Sequence, residues 1–470
     1  MKVALKFIFF SLLTLSILTT PVDTMATTTN NAPTSVGVAN TPHPAWLHHI
    51  QKLFPTMTSY TITETIVQPN ALGYKVQLQY NENDNNIDND NTLPDMVFVK
   101  DVNASNYIEA RKDWPDLRRT LLYARTEARF YQDMLPVLRT AGFDAAPRVY
   151  TVWHDLEGWV AETERSIDLA AAGAVDINDD TMKETASAKG CCIVMECVSA
   201  TTHFQAAPLT ISHAKQCLAA AARLHAAAWQ DVPLLQRASG QLSRASFHLE
   251  MRNPKELAGM QASWEHFVTH FRDDLMQAGG WSDSVQALGK RMAVAAPYIS
   301  QQLSPAPTDK YVTLIHGDYK AMNVLLPVDP TTNKAVLVDY ASIGIGLGMS
   351  DVAMHLHHAV TPADLADGGE DGLVEYYCQT LRDALPGHDY PTATALWHYQ
   401  FACCDYFRFF LGRMWKTATH DTMQQKSDNK NTALINRSVA SACAFVGRVD
   451  AYLAEIEQEY LLLSASKQEL

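Results

Sequence analysis

An α+β fold, with strands gathered in the amino-terminal part and helices filling most of the remainder, is what this sequence predicts, and three observations predict it. Short β-prone runs crowd the stretch between Ser59 and Met195. Long stretches with helical periodicity dominate from Leu209 onward. With 470 residues and 47% hydrophobic content, the chain can bury a substantial core, and length alone points to about two or three compact units.

In chain order, Ser59 to Val67 and Gly73 to Tyr80 read as two strands around the turn Gln68-Pro69-Asn70-Ala71-Leu72. Met96-Val97-Phe98-Val99-Lys100 makes a third. Between the second and third, Asn81 to Asp95 is acidic and asparagine-rich and reads as a disordered hairpin extension without a functional role. A helix is expected over Leu117 to Leu138, where Leu121, Leu122, Ala128, Tyr131, Leu135 and Leu138 form an apolar stripe. Cys191-Cys192-Ile193-Val194-Met195 is a further strand, running into Glu196-Cys197-Val198.

The second half reads as largely helical. Leu209 to Trp229 is alanine-rich, and more helices are expected at Trp264 to Gln277, Ser284 to Gln302, Gly372 to Leu385, Thr392 to Thr417 and Asn431 to Leu463. His225, with no second metal-type residue at helical spacing beside it, reads as a hydrogen-bonded core histidine. Two short buried strands interrupt this pattern, Val312-Thr313-Leu314-Ile315 and Ala335-Val336-Leu337-Val338, separated by a turn over Pro327 to Lys334.

Those two strands lead into the residues that carry chemistry. His316-Gly317-Asp318-Tyr319-Lys320-Ala321-Met322-Asn323 follows the first and Asp339 follows the second. The spacing of two aspartates and an asparagine is that of a kinase catalytic loop and its metal-binding strand. Phosphoryl transfer asks little covalent help of a protein. Rate comes from aiming an acceptor oxygen at the γ-phosphate and neutralising the charge that spreads over its oxygens. Asp318 is therefore the expected base or orienter, Lys320 a point charge beside the transferring phosphate, and Asn323 and Asp339 the metal ligands. A lone aspartate is usually a surface charge or a cap; the joint pattern on a strand, loop, strand layout is hard to obtain by chance.

With these residues the chain resembles the aminoglycoside phosphotransferase and choline kinase superfamily, and within it the ecdysteroid-kinase-like (CHK kinase-like) small-molecule kinases, over most of the sequence after about residue 45. The resemblance implies a protein-kinase-like two-lobed fold, ATP with magnesium, and a small hydroxyl-bearing acceptor. It divides the chain into a leader over 1–44, a lobe over 45–198 ending in a hinge, and a helical lobe over 199–470. It makes Lys100 the strand lysine that grips the α- and β-phosphates, Glu127 its partner, and Glu196, Cys197 and Val198 the hinge whose backbone meets adenine. Asp351, in Gly344 to Ala353, is expected to anchor the catalytic-loop backbone. Asp405, Tyr406 and Arg408 are candidates for lining the acceptor pocket. One departure stands out: the turn between the first two strands offers only Gly73 and Asn70, where the family's phosphate-covering loop is usually glycine-containing. Gly344, Gly346 and Gly348 follow the metal strand and read as a flexible segment near the site.

Composition narrows the alternatives. A net charge of -14 with no basic run disfavours a general nucleic-acid binder. The eight cysteines, without a Cys-x-x-Cys pair, read as reduced core thiols. Against this, Lys2 and Lys6 precede the apolar run Phe7 to Leu18, and the segment 1–26 reads as a signal peptide too short for a stable membrane span. A need for ATP favours an intracellular enzyme, with the start then an organellar signal or translation beginning at Met25. Asn103-Ala104-Ser105 and Asn436-Arg437-Ser438 match the glycosylation triplet. Three rival readings remain at this level: a catalytically weak pseudokinase serving as a nucleotide-binding or scaffold module, a protein kinase, disfavoured by the missing Ala-Pro-Glu segment, and a secreted glycoprotein without catalysis.

Overall fold

Alternating burial builds the first lobe. The computed structural model describes residues 46–68, 71–81, 93–104, 114–156, 189–242, 249 and 254–468. The apolar start 1–26 and residues 82–92 of the acidic stretch from Asn81 to Asp95 fall outside these residues. Strands β1 (Met57–Gln68), β2 (Ala71–Tyr80), β3 (Met96–Asn103), β4 (Val149–His154) and β5 (Gly190–Glu196) form an antiparallel sheet in the order β1-β2-β3-β5-β4. Side chains alternate between its faces with period two. Val97 and Val99 of β3 and Cys192 and Val194 of β5 pack beneath helix α1 (Leu47–Leu53), which contributes Leu47 and Ile50, flanked by Trp46 and Phe54. Val102, Cys191, Ile193 and Met195 face the main core instead, and Lys100 shares their side of the sheet.

Helix α2 (Trp114–Arg129) packs on that inner face, continues through a wide π turn at Phe130–Met134, and ends in another α-helical turn and a half to Thr140. The helical periodicity expected from Leu117 to Leu138 is therefore present, with a wider turn inserted. After β5 the chain enters a predominantly helical lobe: α3 (Ile211–Ala227), α4 (Met260–Gln277), α5 (Leu288–Gln302), α6 (Met349–Ala359), α7 (Gly369–Ala384), α8 (Thr392–Phe409) and α9 (Val439–Gln468). Helix α3 begins where the Thr210 hydroxyl accepts from the His213 backbone N–H, satisfying one of the first-turn donors. The α+β, two-lobed architecture read from sequence is the one found.

A two-residue strand β6 (His203–Phe204) precedes α3, and between α5 and α6 lie four more short strands, β7 (Val312–Ile315), β8 (Val324–Pro327), β9 (Val336–Leu337) and β10 (Gly344–Leu347), with the loops that carry the chemistry between β7 and β8 and between β9 and β10. Two expectations about glycines need correction here. Gly73 lies inside β2, opposite Lys100, rather than in the preceding turn. A Cβ there would come 2.7 Å from the Phe98 ring, so the glycine makes room for packing. Gly344 to Leu347 is a buried strand paired with β7, and a Cβ at Gly346 would stand 2.5 Å from Ile315. The segment is close-packed rather than flexible because neighbours remote in sequence occupy the space a side chain would need.

Candidate active site

The residues singled out from sequence converge between the two lobes. Lys100 reaches across from β3 to Glu127 on α2, 2.6 Å away, and to Asp339 Oδ1, 2.9 Å away. Burial alone would lower the Lys100 ammonium's pKa, yet the Asp339 and Glu127 carboxylates more than compensate and push it above the usual range. Lys100 is thus charged and shared between a helix glutamate and the aspartate that follows β9.

Asp339 stands in the left-handed region at φ 67, a conformation that aspartate tolerates better than most non-glycine residues. It leads into a 3-10 turn at Tyr340–Ser342, and the Tyr340 ring fixes that turn from below. Tyr340 stacks on Phe130 at 4.1 Å, meets Tyr131 edge-on at 5.6 Å, and lies 5.0 Å from the His316 ring. An aromatic column therefore joins the end of α2 to both aspartate-bearing loops.

The other loop is compact. Gly317 adopts φ 76, which lets the chain turn sharply between β7 and Asp318. Lys320 Nζ lies 3.0 Å from Asp318 Oδ2, while Asn323 Nδ2 donates to the Asp318 backbone oxygen at 2.8 Å and to its Oδ2 at 3.2 Å. That orientation commits the amide nitrogen of Asn323 to Asp318 and leaves its oxygen as the group able to take a cation. The Val338 N–H donates to the Asn323 backbone oxygen at 3.0 Å, tying this loop to the approach of Asp339. Burial would raise both acidic groups; the Lys320 ammonium lowers Asp318 below the usual carboxylate range, and Lys100 with Lys320 lowers Asp339 further. The Asp339 carboxylate and the Asn323 amide oxygen are hard oxygen donors of the type magnesium takes.

Glu196 ends β5, its N–H donating to the Arg148 backbone oxygen at 2.7 Å and its carboxylate accepting from the Arg148 N–H at 3.1 Å. Cys197 and Val198 follow, both half-buried, where the chain crosses from sheet to helices. Of the three acceptor-pocket candidates, Arg408 is fully buried and holds Asp405 at 2.5 Å, so this pair is internally neutralised rather than turned to solvent. Tyr406 is buried beside Asp318, whose charge, after burial itself, helps push the phenol pKa well up.

These positions fall largely within the span that a family model recognises: the ecdysteroid kinase-like family matches residues 115–390, more than half of the chain. The chain belongs to the ecdysteroid kinase-like family. This ecdysteroid kinase-like protein is a phosphotransferase of the small-molecule kinase class. No curated protein matches it. Among solved structures, the microcompartment-associated aminopropanol kinase aligns at 13% identity with a TM-score of 0.43, covering 87% of this chain and 98% of that one. An aminoglycoside phosphotransferase from Alicyclobacillus acidocaldarius aligns at 14% identity and TM-score 0.39, covering 91% and 98%. A Plasmodium vivax ethanolamine kinase aligns at 11% identity and TM-score 0.38, covering 87% and 85%. Superpositions this loose add nothing to the family assignment.

Several features of this kinase-like protein were not legible beforehand. His355 Nδ1 meets the Tyr319 backbone oxygen at 3.1 Å, which sets α6 against the back of the catalytic loop, and His358 Nε2 meets the Asn431 backbone oxygen at 3.3 Å. Tyr377 and the wiring of His225 were also missed, because their partners lie more than a hundred residues away in the chain. Outside the cleft, His357, Glu370 and Cys403 bring three donor atoms within 4.8 Å of one another. Arg448 stands 2.6 Å from Glu370 and the Tyr399 hydroxyl donates to it at 2.6 Å, so a guanidinium already supplies the positive charge a metal ion would. The cysteines are free thiols, all buried except half-buried Cys197. Asn436 is buried within a 3-10 turn, which leaves no room for a glycan. Among the described residues no helix is long and apolar enough to cross a membrane.

Proposed function

We propose that the cleft transfers the γ-phosphate of ATP, in a magnesium-dependent reaction, to a hydroxyl of a small molecule. The observation that carries this reading is the convergence of Asp318, Asn323, Asp339 and Lys100 through direct contacts. Asp318, kept as a carboxylate by Lys320, accepts the proton of the acceptor hydroxyl and aims its oxygen at the γ-phosphorus. A bond forms between that oxygen and phosphorus, the bond from phosphorus to the β-bridging oxygen breaks, and ADP leaves with the bonding pair. Lys320 steadies the charge on the transferring group. Lys100, aimed by Glu127, takes the α- and β-phosphates, and the backbone of Glu196, Cys197 and Val198 receives the adenine edge. Asn323 and Asp339 would hold the magnesium, which supplies charge neutralisation on the β- and γ-phosphates when bound. The hinge then divides a lobe over 45–198 from a lobe over 199–470.

A small-molecule library of alcohols, amino alcohols and sugars, assayed for acceptor-stimulated ATP consumption with Asp339→Ala as the blank, tests the reading. Stimulation above that blank by at least one hydroxyl compound, abolished by chelating magnesium, is expected. ATP binding without turnover for any acceptor would favour the pseudokinase alternative.

A further inference from the structure

A closed chain of hydrogen bonds lies behind the catalytic turn and takes no part in the transfer step. Asp351, in the first turn of α6, accepts from the backbone N–H of His316 at 2.7 Å and of Gly317 at 2.9 Å. Its Oδ2 also lies 3.1 Å from His225 Nε2, on α3. Because a carboxylate oxygen accepts, Nε2 carries the proton, and Nδ1 is left as an acceptor. The hydroxyl of Tyr377, on α7, meets that nitrogen at 2.7 Å. His225, Asp351, Tyr377 and His316 all have 0% exposure, so water cannot substitute for any link. The local sequence protects the arrangement. A Cβ at Gly348 would come 2.3 Å from the Tyr377 hydroxyl and 2.7 Å from His225 Nδ1. The Thr313 hydroxyl donates to the His225 backbone oxygen at 2.6 Å and binds the same helix to β7, the strand that delivers the turn.

We propose that Tyr377 and His225 are positioning residues for the catalytic turn, acting through Asp351. The Asp351 carboxylate is met by three N–H groups, two of them belonging to the turn itself. The third, from His225, decides where that carboxylate sits, and so where the backbone just before Asp318 sits. Tyr377 fixes the imidazole. With the hydroxyl present, the tautomer that offers N–H to Asp351 is the one that also satisfies Nδ1. Without it, Nδ1 is a fully buried acceptor with no partner, and nothing holds the imidazole at the tilt that points its Nε2–H at Asp351. Losing the hydroxyl therefore disturbs two links with one atom.

The test combines a readout of the turn with a readout of chemistry. Amide hydrogen exchange is followed at His316 and Gly317 in the full chain, and intrinsic hydrolysis of magnesium-ATP, with water as acceptor, is the kinetic probe. Tyr377→Phe should lower protection of the Gly317 amide by about tenfold, the size of one lost buried hydrogen bond, with β2 and β3 amides unchanged. In the same variant kcat should fall by a comparable factor of about 3 to 10 while KM for ATP stays within about twofold, since nucleotide contacts are untouched. His225→Leu should do more, and His225→Gln, which can donate to Asp351 and accept from Tyr377, should restore both readouts toward wild type. Should His225→Leu fail to fold, Tyr377→Phe, which removes a single atom, carries the test. Unchanged exchange at Gly317, loosening spread over the whole lobe, or parallel changes in kcat and KM would each overturn the proposal. The exchange measurement needs no turnover, so it remains decisive even if the phosphotransfer reading fails.

Discussion

On one side of Asp318 the protein relies on ion pairs between side chains, and on the other on directional hydrogen bonds gathered on one buried carboxylate. Toward the sheet, Lys100 is held between Glu127 and Asp339, and Lys320 leans on Asp318. Toward the helical core, Asp351 is met by two backbone amides and an imidazole backed by a tyrosine. The difference follows from what each side must do. The Lys100–Asp339 pair is exchangeable: an arriving phosphate competes with the partly exposed Asp339 for Lys100 without a new charge having to be buried alone. A sealed network has no such competitor and serves only to keep one geometry. The mobile half of the chemistry is electrostatic, and the immobile half is directional.

This contrast can be broken at either side. Asp318→Ala should lower kcat by about 10²- to 10⁴-fold with the fold intact, the usual scale for a positioned acid or base; steady-state kinetics beside a thermal melt checks it. Lys100→Met should cost about 3 kcal/mol of stability by leaving Glu127 buried without its cation, and Lys100→Met with Glu127→Gln should recover most of that in chemical denaturation. If the double variant is no better than the single, the pair is not the source of the cost. On the sealed side, Gly348→Ala should cost about 1–3 kcal/mol by driving a methyl into Tyr377 and His225, and hydrogen exchange at Gly317 should rise with it.

The smallest effect concerns pH. Burial lowers His355 to about 4 and His358 to about 3 from 6.5. Below pH 6.5 the unfolded chain takes up protons that these rings refuse, so their contribution is complete above that value and drains away as pH falls toward 4. At pH 5.5 the loss is about 1 kcal/mol per ring. Asp101 opposes it: burial raises its carboxyl to about 6, so it steadies the fold as pH falls through that value. Melting midpoints of wild type and His358→Gln between pH 7 and 5 should therefore converge on acidification.

The catalytic loop was legible because its chemistry is local: Asp318, Lys320 and Asn323 meet within one turn, and spacing along the chain is nearly spacing in space. Lys100 and Glu127 were legible only through the family resemblance, which supplies a strand lysine and a helix glutamate in that order. What escaped was anything whose meaning depends on a distant neighbour. His225 could be read as a buried, bonded histidine but not as a partner of Asp351 and Tyr377. Gly346 and Gly348 carry no local sign that Ile315, Tyr377 and His225 will crowd them. The wide π turn after Arg129 likewise keeps the helical period nearly intact and leaves no signal in a pattern of apolar residues.

Calorimetric binding of ATP in magnesium, compared across wild type, Asp339→Ala and Tyr377→Phe, tests the central claim most directly. The account predicts binding to wild type and Tyr377→Phe with similar affinity, and its loss on removing magnesium or on Asp339→Ala. ATP binding that is indifferent to both magnesium and Asp339 would contradict it.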